Sequence, residues 1–143
     1  MSTTQTTDGH RTGHCLCGAI SYTYDGEPEA VVLCHCGDCQ RHTGSAFSVN
    51  VLVPRASLEI KGNPKSHQTT GAENGHLRDR LFCGDCGTPI LTILHERPDL
   101  IIVKAGTLDD TSGLSPAAEI WWRRSQDWLD PQSARPRFDG DPQ

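Results

Sequence analysis

Cys34-His35-Cys36-Gly37-Asp38-Cys39 lies between two further cysteine clusters, Cys15-Leu16-Cys17 upstream and Cys83-Gly84-Asp85-Cys86 downstream. Together they hold all seven cysteines of this 143-residue chain. Four thiolates complete a tetrahedral zinc site, whereas three leave one coordination position open. Seven cysteines therefore divide into four and three, one zinc for the fold and one for chemistry. A C-x-C and a C-x-x-C together make four ligands. The economical pairing joins Cys15 and Cys17 to Cys83 and Cys86, which closes a loop of about 65 residues and adds folding energy outright. Cys34, Cys36 and Cys39 remain as a compact second site.

The spacings have a physical reading. Residues i and i+2 of a strand share a face, so Cys15 projects beside Cys17 and Cys34 beside Cys36. Each C-x-x-C can fold as a tight turn whose N–H groups point at sulfur, with Gly37, Gly84 and Gly87 suited to positive φ. Other readings stay open. The cysteines could form disulfides or buried thiols, although a reducing compartment disfavours pairing. A redox C-x-x-C needs a βαβ setting that the sequence lacks. A histidine could close the second site; His35 alternates away from its neighbours, and His42, three residues past Cys39, is better placed.

Outside the clusters, glycine and proline separate short runs. Strands are expected at 20–24, 30–33, 47–53, 58–60, 77–82, 89–94, 100–103 and 118–122, with 89–94 and 100–103 forming a hairpin. A helical turn after Cys39 is possible, and no long helix is expected. The class is mainly β. Residues 1–12 are polar and read as a flexible tail rather than a signal or transit peptide, followed by one domain over 13–138. The stretch from Asp130 reads as irregular. No run is long enough for a membrane span, and the expected compartment is the cytoplasm. A net charge of −5 without a basic tract argues against nucleic-acid binding.

Zinc on three thiolates keeps a net negative charge, so it polarises water or a carbonyl poorly. It suits an incoming thiol, whose pKa a metal lowers until it is held as a thiolate. A small aldehyde is the matching electrophile.

The chain resembles the glutathione-dependent formaldehyde-activating enzyme and centromere protein V family. The resemblance rests on Gly13 through Ile20, Cys34 through Cys39, Thr43-Gly44-Ser45-Ala46-Phe47, Phe82 through Pro89 and Ala105-Gly106-Thr107-Leu108-Asp109-Asp110, spanning residues 13–128. It implies a β-tent fold of antiparallel sheets stapled by zinc. It also implies a structural zinc on Cys15, Cys17, Cys83 and Cys86, and a second, open zinc on Cys34, Cys36 and Cys39 where glutathione sulfur binds. The implied reaction joins glutathione and formaldehyde into S-(hydroxymethyl)glutathione, a carbon–sulfur lyase activity in reverse. Family members often carry arginine directly after the trio; here Gln40 stands there and Arg41 follows.

Among the remaining residues, Arg41 or Lys104 could meet a ligand carboxylate, although solvent exposure is the ordinary fate of such charges. Gly44 and Ser45 lie close enough to offer backbone N–H groups to a ligand. Trp121 and Trp122 are expected on opposite sides of a strand, one of them in the core. His67, His76 and His95 receive no role, and no protein general base stands out. The leading function is thiol addition to formaldehyde or a small aldehyde. A non-catalytic glutathione or thiol carrier and a zinc-stapled interaction domain are the alternatives. Partners are small molecules, and the oligomeric state is not legible.

Overall fold

The computed structural model describes residues 9–129 and 135–142. Among the described residues ten strands form two sheets. The smaller contains β1 (Arg11–His14), β2 (Ser21–Tyr24) and β5 (Leu58–Lys61), antiparallel in the order β1-β2-β5. The larger contains β3 (Ala30–Cys34), β4 (Ser48–Pro54), β6 (Lys65–Thr70), β7 (Leu77–Phe82), β8 (Pro89–Leu94), β9 (Leu100–Lys104) and β10 (Ala118–Ile120). Its order is β10-β3-β4-β9-β8-β7-β6. All neighbours are antiparallel except β10, which runs parallel to β3. The mainly β class is as the sequence predicts, and β8 and β9 pair as expected.

The period of two decides what each face does. On one face of the large sheet, Val31, Val51, Val103, Leu91 and Leu81 stand in register across five strands. Tyr22 and Tyr24 of β2 belong to the same buried cluster, which places the core between the sheets. The opposite face, in the next register row, runs Ala30, Leu52, Ile102, Thr92, Arg80 and faces a cleft. Gly13 has to be glycine, because a Cβ there would collide with the Tyr22 ring and the Thr107 carbonyl.

Several expectations need correcting. Residues 1–8 of the expected tail lie outside the described residues, but Arg11 and Thr12 belong to β1, paired with Tyr24 and Thr23. Arg11 also donates to the carbonyls of Asp110 and Ser112, and Thr12 donates to Asp109 at 2.6 Å. β6, Lys-Ser-His-Gln-Thr-Thr, is an exposed edge strand whose polar residues carry no alternation for a sequence to show. The last strand stops at Ile120 because Trp121 adopts a left-handed conformation at φ 56°. A bulky residue rarely takes that conformation without surrounding support. Here the Trp121 amide donates to Gly140 O and the indole N–H to Asp141. The two tryptophans therefore do not alternate across a strand. Trp121 packs beside Cys34 and Cys39, while Trp122 meets the His35 ring edge-on at 4.9 Å. Residues 130–134 of the expected irregular stretch lie outside the described residues. Beyond them, Arg137 bridges to Glu119.

Candidate metal centres

The first cluster is built from two similar turns. One follows β1, where Cys15 N donates to Ile20 O and Gly18 N to Cys15 O. The other joins β7 to β8, where Cys83 N donates to Thr88 O and Gly87 N to Cys83 O. Gly18 and Gly87 both need positive φ, at 83° and 82°, which glycine adopts without a steric penalty. Gly37 and Gly84, expected to share that role, do not have positive φ. Cys15 and Cys17 lie in the turn after the strand rather than within it. Backbone donors do reach sulfur, with Ile20 N 3.3 Å from Cys15 Sγ and Asp85 N 3.4 Å from Cys83 Sγ. Leu16 N donates to Thr88 Oγ1 and so ties one turn to the other.

All four sulfurs lie within 4.8 Å of one another. A tetrahedral zinc with bonds of about 2.3 Å sets its sulfurs about 3.8 Å apart. Cys15 to Cys17 and Cys17 to Cys83 are both 3.8 Å, so this cluster fits zinc. The Thr88 hydroxyl beside Cys86 lowers that thiol to about 5, which favours the thiolate a metal needs.

The second cluster uses different local structure. Cys34 ends β3, Cys36 caps α1 (Gly37–Thr43) and Cys39 lies in that helix. Cys36 has extended backbone, and its sulfur accepts from Cys39 N at 3.2 Å, the place an N-cap oxygen usually takes. The expected turn after Cys39 is thus a helix that already contains it. Gln40 donates to His35 O and Arg124 O, both at 2.8 Å, and fastens the helix to its surroundings.

His35 does point away from the sulfurs, as alternation predicts. It is 1% exposed, with Nε2 2.9 Å from Glu119 Oε1 on β10. Phe47 lies 5.2 Å from its ring. Glu119 is also approached by Arg137 at 3.3 Å and Arg135 at 3.5 Å. The residue between two cysteines of the trio is therefore anchored to the C-terminal part of the chain.

The sulfurs of Cys34, Cys36 and Cys39 lie within 4.8 Å of one another, and among the described residues no histidine or carboxylate atom completes the group. His42, the better-placed candidate, does not close it. Its Nδ1 is buried without a hydrogen-bond partner, and burial, with Lys104 and Arg80 nearby, lowers its pKa to about 4. Crowding separates the three thiols. Hydrogen bonds from Cys34 and Cys36 pull Cys39 down to about 2, and hydrogen bonds to Cys36 and Cys39, with burial, push Cys34 far up. Protons shared among close sulfurs are what a divalent cation displaces, so this donor set also fits a metal.

The trio forms part of the wall of a cleft of about 900 Å³. Lys104, expected in solvent, is 7% exposed and lines this cleft, with Nζ 3.1 Å from Asn50 Oδ1. Burial lowers its pKa, and the nearby Cys39 opposes that shift. Arg80, also 7% exposed, lines the cleft and donates from Nε to Thr69 Oγ1 at 2.9 Å. Neither is paired with a carboxylate among the described residues. The signal for Lys104 was its phase with Leu100 and Ile102 in a strand buried along its whole length. Arg41 lies exposed at the cleft. Gly44 and Ser45 do not line it, and their amides already donate to Gln40 O and Thr43 Oγ1.

Among the described residues no helix is long and apolar enough to cross a membrane. No curated protein matches the chain. A crystal structure of a Rhodobacter sphaeroides protein, a structural genomics target, is similar in fold. The TM-score is 0.51 at 16% identity, covering 89% of this chain and 98% of that one. Residues 10–124 match the family described as glutathione-dependent formaldehyde-activating enzyme, and the chain, with its two cysteine clusters able to hold metal, belongs to that family.

Proposed function

We propose that this protein is a zinc-dependent enzyme of the carbon–sulfur lyase type, adding glutathione or a similar thiol to formaldehyde or a small aldehyde. The observation that carries the reading is a set of three converging sulfurs with no fourth histidine, cysteine or carboxylate donor among the described residues, placed at the wall of a cleft. Zinc held there supplies a cation that lowers the pKa of an arriving thiol and favours its thiolate form. The structural zinc belongs to Cys15, Cys17, Cys83 and Cys86.

The chain's own residues fix the geometry. The N-cap bond from Cys39 N holds Cys36, and the Glu119 carboxylate holds His35 between Cys34 and Cys36. Gln40 takes the position of the family's usual arginine and braces the helix, leaving Arg41 to meet a ligand carboxylate at the cleft. In the reaction the thiol sulfur bonds to the aldehyde carbon. The carbonyl π pair moves to oxygen, which takes up the proton the thiol has released. Holding sulfur and carbon adjacent replaces an encounter in solution.

Calorimetric titration of the zinc-loaded protein with glutathione tests binding, and NMR of adduct formation above the spontaneous rate tests catalysis. Saturable binding with a faster rate is expected. Absence of binding at millimolar glutathione removes the reading, and binding without acceleration leaves a thiol carrier.

A further inference from the structure

The cleft beside the trio is graded from cationic to aliphatic. In one register row Arg80 faces Thr92, Thr92 faces Ile102, and Ile102 faces Leu52. In the next, Lys104 faces Asn50 and Asn50 faces Val32. With strands about 4.8 Å apart, the floor changes from guanidinium to isoleucine within about 10 Å. Lys104 and Arg80 are buried, and their hydrogen-bonding partners, Asn50 and Thr69, are neutral. The Thr92 hydroxyl, 2% exposed, lines the same cleft without a partner. Buried cations are ordinarily paired. Zinc on three thiolates would offset one of these two buried charges.

We propose that this cleft is a binding site for an amphipathic organic anion. Its carboxylate is held by Lys104, Arg80 and the Thr92 hydroxyl, and its aliphatic body of about six to eight carbons lies over Ile102, Leu52 and Val32. The two buried cations, neither paired with a carboxylate among the described residues, select an anion, and the aliphatic half of the floor selects against a small one such as acetate. A one-carbon aldehyde leaves most of this surface uncovered. The binding itself does not depend on the thiol-addition reading, which concerns the neighbouring metal position.

The test is calorimetric titration of the zinc-loaded full chain with octanoate, octanamide and butyrate. Octanoate is expected to bind about tenfold tighter than either. Lys104→Met is expected to abolish the preference for octanoate over octanamide, and Leu52→Ser the preference over butyrate. Equal affinity for octanoate and octanamide, equal affinity for octanoate and butyrate, or no octanoate binding at millimolar concentration overturns the proposal. The three ligands decide it on the unsubstituted protein even if a variant fails to fold. A parallel glutathione titration separates the two readings, since failure of one ligand leaves the other's result standing.

Discussion

Replacing Cys86 with serine should damage the protein far more than replacing Cys39, although each change removes one sulfur. Cys17 and Cys83 are 66 residues apart, with sulfurs 3.8 Å from each other. By the loop-entropy relation, clamping a span of that length removes about 4 kcal/mol of freedom from the unfolded chain. The trio spans only residues 34–39, and the same relation gives about 2 kcal/mol for so short a loop. Part of that ordering is already supplied by the Gln40 bond to His35 O and the Cys36 cap. A domain of this size is stable by about 5–15 kcal/mol, so the first loss takes a large fraction and the second does not. At about 3 °C per kcal/mol, Cys86→Ser should lower the Tm by roughly 12 °C and Cys39→Ser by no more than about half of that. Thermal unfolding of both zinc-loaded variants, followed by circular dichroism, measures the contrast. Equal losses would refute the assignment of the fold to one cluster and the chemistry to the other.

Metal analysis should find two zinc ions per folded chain and one in Cys39→Ser, because each cluster offers one cage of sulfurs. Glu119→Gln should destabilise the protein by about 3 kcal/mol in urea, since it removes the buried negative charge shared by His35 and Arg137. His42 sets a pH slope. Its pKa is about 4 in the fold against an ordinary 6.5, so its contribution is full above 6.5 and is lost as pH falls towards 4. Urea midpoints between pH 6.5 and 5 should therefore fall less steeply for His42→Gln than for the natural protein, and identical slopes would count against a neutral, half-buried His42.

Strands such as Ser21–Tyr24, Ser48–Pro54 and Leu100–Lys104 were legible because apolar residues alternate or run together there. The division of the cysteines was legible because ligand number constrains chemistry more tightly than fold does. What could not be read depended on partners distant in sequence. β1 owes its place to β2 and to carbonyls near residue 110. The start of α1 was hidden because a cysteine occupies the cap where serine or aspartate is the usual signal. Lys104 was expected in water from its charge, although its place in the strand pointed inward. Trp121 turns left-handed to suit contacts with Gly140 and Asp141 that no local rule anticipates.

The parallel return of β10 to β3 has a consequence for biosynthesis. A nascent chain exposes Cys34, Cys36 and Cys39 early, yet the carboxylate that anchors the intervening imidazole arrives 84 residues later. Until Glu119 has left the ribosome, the three thiols emerge without that brace. The Cys15 and Cys17 turn meets Cys83 and Cys86 sooner, so the sulfur cage that joins those turns can close first during translation.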